Sequence, residues 1–298
     1  MAKNRKNLKQ QIRKEYNEKL VHGVSKHKAS DDFKREHIFS SRTLKNYQEV
    51  GESFAKFCKE NHQGESQTIE QCRPYVAEYL QQRIDKGLSP YTILRDASAL
   101  GKLYRCDYSS FGVKMPLRER SEIIRSRNLE TNMRGFSEKN NQAAVDLIRC
   151  TGLRRREAEN VKPKDFYEKN GKWYVHVSRT YAKGGREREV ELQYSRNPKV
   201  VERTISVIQQ AKQRGADEEK IFDIKNKMPC HAYRHEFAKA LYESVARDTE
   251  DLPRSECWCC TKELYGVVLD REAMRIVSNA LGHNRLDVTV AYLTSDIE

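Results

Sequence analysis

The strongest constraint on this chain is a run of apolar residues spaced three or four apart. Leu44, Tyr47, Val50, Phe54 and Phe57 repeat at the period of a helix face. Ser40 to Thr43 supplies a cap for that helix. Ile69, Cys72, Val76, Tyr79, Leu80 and Ile84 mark a second helix, which Gly87 ends. Ser89 and Pro90 open a third, with Ile93, Leu94, Ala97, Leu100, Leu103 and Tyr104 on its apolar side. Three such helices in succession can bury their faces only against one another, so residues 38–110 predict a small all-helical domain.

The 298-residue length argues for about two domains. Residues 111–134 lose the pattern and read as a short fourth helix and a basic linker, with Arg118, Arg120, Arg125, Arg127 and Arg134. The second domain, 135–298, mixes helix and strand. Phe136 and Ser137 cap a helix over about 138–150, and a second helix-like segment runs from Glu157 to Val161. Residues 172–178 alternate like a strand, the stretch after Lys183 ends the same way, and Gly184 and Gly185 between them predict a hairpin. Further helices are expected over 198–214, 229–246 and 272–281. The fold class is mainly α with a small β-hairpin or sheet.

The net charge is +13, which speaks of partners rather than fold. A polyanion is the natural partner, and nucleic acid is the commonest. Residues 1–37 hold eleven Lys and Arg against five Asp and Glu, and read as a basic arm or a charged terminal helix. No stretch of 18 apolar residues exists, so no membrane span is expected, and the charged N-terminus is no secretory signal. The expected compartment is the cytoplasm, where the eight cysteines stay as thiols. Cys257, Cys259 and Cys260 form the one cluster. A metal there would need a second ligand pair, with His231 and His283 as distant partners, and no metal or cofactor is expected.

Four short patterns carry candidate chemistry. Thr151 to Glu157 places Arg154 after Gly152 and Leu153, where its fork could hold a phosphate. Lys183 sits at the predicted hairpin tip, able to give a proton to a leaving oxygen. His231 and Arg234 are three apart at a helix start, so both point one way. Leu281, Gly282 and His283 end a helix, and Tyr292 follows nine residues later. Each has an ordinary alternative: a solvated basic face, a turn lysine, surface polar residues, an anchoring aromatic. His235, next to Arg234, leaves the choice of histidine open.

Taken together, these patterns resemble the tyrosine recombinase (phage integrase) family over about residues 40–298. The resemblance implies a core-binding domain followed by a catalytic domain. It implies Tyr292 as nucleophile forming a 3′-phosphotyrosyl link, Arg154 and Arg234 as phosphate clamp, and Lys183 as general acid. His231 would accept the tyrosine proton, His283 would bond the phosphate, and Glu157 would orient Arg154. The implied partners are double-stranded DNA at specific recombination sites, a homo-tetramer on synapsed DNA, and accessory DNA-bending proteins. Integration or excision of a mobile element is the implied setting. The rivals are a type IB topoisomerase and a basic DNA-binding protein without catalysis. The spacing from Arg234 to His283 exceeds that of compact members, the excess falling at about 247–271.

Overall fold

A computed structural model describes residues 7–119 and 135–294, apart from 25, 27, 65, 66 and 284. The arginines expected at 120, 125, 127 and 134 lie outside the described residues. The chain divides into two compact units, at residues 1–122 and 123–298.

The first unit holds helices α1 (Leu8–Glu18), α2 (Asp31–Glu36), α3 (Ser41–Asn61), α4 (Ile69–Cys72), α5 (Val76–Asp85) and α6 (Pro90–Tyr104). The caps of α3 and α6 are those the sequence predicts: Ser40 and Ser89 accept from the amides of Thr43 and Thr92. Phe54, Leu80, Ala97 and Leu100 close one core. The basic start departs from expectation. α1 is neither a free arm nor a solvated helix, because Ile12 and Tyr16 are fully buried against α3. Gly51 makes room, since a Cβ there would meet Ile12 and Tyr16 side chains. The Tyr16 hydroxyl donates to the Ala99 carbonyl, 2.9 Å away. Residues 108–111 form a single 3₁₀ turn, and most of the stretch in which a short fourth helix is expected lies outside the described residues.

The second unit holds α7 (Gln142–Thr151), α8 (Arg155–Ala158), β1 (Phe166–Lys169), β2 (Lys172–Val177), β3 (Arg188–Glu191), α9 (Lys199–Gln213) and α10 (Cys230–Val245). β4 (Cys257–Cys259), β5 (Val268–Asp270), α11 (Arg271–Ala280) and α12 (Leu286–Leu293) follow. The β1–β2–β3 meander is antiparallel. β1 was missed, although Asn170 and Gly171, both at positive φ, are the residues a two-residue hairpin turn requires. α7 packs on α9 and α10, and α11 and α12 pack on α10. This helical layer buries Leu147, Ile148, Tyr233, Phe237 and Val277 together with the sheet residues Val175 and Val190. The fold is therefore mainly α with small antiparallel sheets.

The excess after Arg234 folds as the β4–β5 hairpin. Its cysteines do different things: Cys257 and Cys260 are buried, Cys259 is exposed. Among the described residues no three metal-capable side chains gather. What ties the hairpin down is Asp270. Its carboxylate caps α11 at Glu272 and receives Arg247 at 2.9 Å.

Candidate active site

α7 ends at Gly152, in the left-handed region at φ +60, where Phe237 leaves no space for a side chain. The chain turns there and presents Arg154 as the cap residue of the one-turn helix α8. Glu157, fully buried, holds Arg154 twice: one oxygen accepts from its backbone amide at 2.9 Å, the other from Nη1 at 2.9 Å. Arg188 of β3 closes on the same carboxylate at 3.2 and 2.8 Å. Burial alone would push the Glu157 carboxyl up. The bonds and charge of Arg188, then those of Arg154, outweigh it and hold the pKa at about 2.

Arg234, on α10, is fully buried. It donates Nη1 to the Gly152 carbonyl and Nη2 to the Leu281 carbonyl at 2.6 Å. Arg154 Nη2 reaches the next carbonyl, that of Gly282, at 3.4 Å. Two arginines 80 positions apart thus converge on consecutive carbonyls just before His283. Arg234 Nη2 also lies 3.2 Å from His283 Nε2. Because the guanidinium can only donate, Nε2 accepts and the imidazole proton sits on Nδ1. His283 Nδ1 and Arg234 Nε are buried donors without a partner among the described residues. Buried donors are normally satisfied, so these two suit an acceptor brought in from outside.

Burial first, then the charges of Arg234, Arg154, Arg188 and Lys183, lower the His283 pKa to about 3. The imidazole is neutral at physiological pH. Burial, then Arg154, brings the Arg234 guanidinium down to about 10, which still leaves it charged.

Tyr292, on α12, is only 5 % exposed. The Arg234 guanidinium lies over its ring, Cζ 5.8 Å from the centroid. Its ring centroid lies 5.3 Å from that of His283 and 6.4 Å from that of His235. Lys183 is exposed, in a 3₁₀ turn within the loop of residues 178–187 between β2 and β3, rather than on a tight two-residue turn. Gly184 and Gly185, both at positive φ, shape that turn.

The structure thus gathers Arg154, Arg234, His283 and Tyr292, with Lys183 close enough for its charge to act on His283. His231 differs from Arg234 in burial. It is exposed on the first turn of α10, among buried neighbours, while Arg234 is fully buried. The imidazole lying against Tyr292 from this helix is His235, one turn on and buried.

The two arginines that follow Arg154 are both tied to backbone carbonyls. Arg155 donates to the carbonyls of Lys225, Asn226 and Met228, bracing the segment before α10. Arg156 reaches the Thr180 carbonyl at 3.4 Å. Arg188 was passed over in the sequence. Its signal was there: Arg188, Val190 and Leu192 alternate onto one side of β3, and an inward arginine needs a buried carboxylate.

No protein-family model matches the sequence, and no curated protein does. Solved structures do. The Tn1549 transposon integrase in complex with a circular intermediate DNA aligns over 96 % of this chain and 94 % of its own, at 15 % identity and a TM-score of 0.51. The chain has the tyrosine-recombinase fold. A second DNA complex of that integrase gives a TM-score of 0.50 at 14 % identity over the same shares. The XerH site-specific recombinase bound to difH substrate is 19 % identical over 84 % of this chain and 74 % of its own, with a TM-score of 0.49. At these identities the likeness speaks for the tyrosine-recombinase fold alone.

Proposed function

We propose that this chain is a site-specific DNA recombinase that cuts and rejoins strands through a 3′-phosphotyrosyl intermediate. The observation that carries this reading is the meeting of Tyr292, a buried arginine with a spare donor and a neutral histidine with another, beside a second anchored arginine.

In this reading the Tyr292 oxygen attacks phosphorus, the bond to the 5′ oxygen breaks, and the leaving oxygen takes a proton from Lys183. The tyrosine proton passes to His231, exposed at the start of α10, once Tyr292 has moved out from its present place beside His235. Arg154 and Arg234 stabilise the charge on the non-bridging oxygens, and His283 donates to one of them through Nδ1. Phosphoryl transfer is mostly positioning and electrostatics, so fixed cations suit it. The guanidiniums are held by carbonyls and a carboxylate before substrate arrives, so little reorganisation is needed. Because Tyr292 is covered, attack on a phosphodiester requires α12 to shift. Return attack by the 5′-hydroxyl of a partner strand completes exchange, with no net loss of bond energy.

The partners follow from the same reading: duplex DNA at specific sites, gripped by the helical unit as core-binding domain, and four protomers for two paired duplexes. Integration or excision of a mobile element is the setting, with accessory DNA-bending proteins as further partners. Among the described residues no helix is long and apolar enough to cross a membrane.

DNA cross-linked to Tyr292 in cells is sequenced, and a nicked suicide duplex of that sequence is offered to the protein. Wild type is expected to become covalently attached, with EDTA present, and Tyr292→Phe is not. Covalent attachment by Tyr292→Phe would refute the assignment. Relaxation of supercoils by a lone protomer, without paired sites, would favour a type IB topoisomerase.

A further inference from the structure

Arg188 has a place in the site that the candidate chemistry leaves unexplained. Its side chain is only 8 % exposed, so it is not offered to a ligand as Lys183 is. The guanidinium grips both oxygens of Glu157. Its Nε donates to the Ala280 carbonyl at 3.0 Å, at the end of α11. The same side chain fills the space beside Gly282: a Cβ there would lie 3.1 Å from Arg188 Cδ and Nη1. One side chain of the hairpin therefore braces two separate parts of the site. Through Glu157 it fixes Arg154, whose amide and Nη1 both depend on that carboxylate. Through Ala280 and Gly282 it fixes the turn that aims His283.

We propose that Arg188 is a positioning residue, locking Arg154 and His283 into one arrangement and coupling both to the hairpin that carries Lys183. The inference rests on the strand-transfer reading above. Only arginine suits the position. Its planar fork meets a carboxylate with two bonds while Nε faces elsewhere, whereas lysine brings one point of contact. Without it Glu157 keeps Arg154 as its partner but loses the cation that orients it from the other side.

The test compares Arg188→Met and Arg188→Lys with wild type on the cross-link-derived duplex. Covalent attachment to the nicked form is timed in single turnover, and affinity is titrated with the intact form. Arg188→Met is expected to slow attachment about 10- to 100-fold, as loss of partners behind functional groups does elsewhere. Affinity should stay within about twofold, because Arg188 is buried against Glu157 and Ala280. Arg188→Lys is expected to restore part of the rate. The Arg154 Nε–H resonance in ¹⁵N-arginine spectra should broaden or shift in both variants. A wild-type rate in Arg188→Met overturns the proposal. So does a loss of affinity matching the loss of rate, or an unmoved Arg154 resonance. If Arg188→Met does not fold, the folded Arg188→Lys decides by the same measures. If wild type forms no covalent complex, the recombinase reading fails, and the Arg154 and His283 resonances of Arg188→Lys still decide the positioning role.

Discussion

Replacing Gly152 with alanine tests how the site is built. Gly152 is the left-handed residue that ends α7, and an alanine there pays about 1–2 kcal/mol for that backbone conformation. Its Cβ would also enter the Phe237 ring, with Cε1 at 2.8 Å and Cγ at 3.0 Å. Phe237 is fully buried and cannot swing away, so relief requires a backbone shift, at about 1–3 kcal/mol for an overpacked core. The sum is roughly 2–5 kcal/mol, or a fall in Tm of roughly 4–20 °C for a unit of this size. Gly184→Ala is the control. It has a similar φ of +71 but its nearest neighbour is 3.9 Å away, so it carries the backbone term alone. The Gly152 carbonyl also anchors Arg234, so the shift displaces a proposed clamp and should slow covalent attachment about 100-fold. Scanning calorimetry of the full chain and single-turnover attachment read the two effects. Should Gly152→Ala melt no lower than Gly184→Ala, the packing argument is wrong.

Further outcomes follow from the charges. Glu157 has a folded pKa of about 2, below its ordinary value, so it stabilises the fold above pH ~4.5 and that stability is lost as pH falls toward 2; it amounts to roughly 3 kcal/mol. Denaturant titrations across that range should show Glu157→Gln losing this part of the pH dependence, and an unchanged slope would count against the Arg188–Glu157–Arg154 arrangement. His283, lowered to about 3, binds no proton in the fold where the unfolded chain does, so it subtracts stability as pH falls from about 6.5 to 3. Its imidazole proton resonances should stay constant between pH 5 and 8 in NMR spectra, and a midpoint near 6.5 would show that the surrounding cations are not in place. Asp270→Ala removes the α11 cap and the partner of Arg247, and should cost at least about 1 kcal/mol by thermal melting, with protease cleavage appearing first at 247–270.

The helices that carry long apolar repeats were legible in the sequence, and so were their serine caps and glycine stops, because those signals are local. α3, α6, α9 and α10 stand within a residue or two of where the spacing puts them, while the single helix expected over 69–84 is broken by a 3₁₀ turn at Arg73–Tyr75 into α4 and α5. β1, α1 and the β4–β5 hairpin were not legible. A four-residue strand and a polar helix with three buried residues carry too little pattern to stand out until their partners are known.

The site divides in the same way. Sequence alone determined which residue types could do the chemistry and the order in which they come, because motif spacing survives in one dimension. It could not decide which side chains face inward. His231 and Arg234 share a helix turn, yet one is exposed and the other buried. Nor could it assign Arg188, whose partners lie 31 and 92 positions away. A buried charge is tolerable only where a carboxylate and a carbonyl meet it, and only the tertiary structure brings Glu157 and Ala280 to one guanidinium.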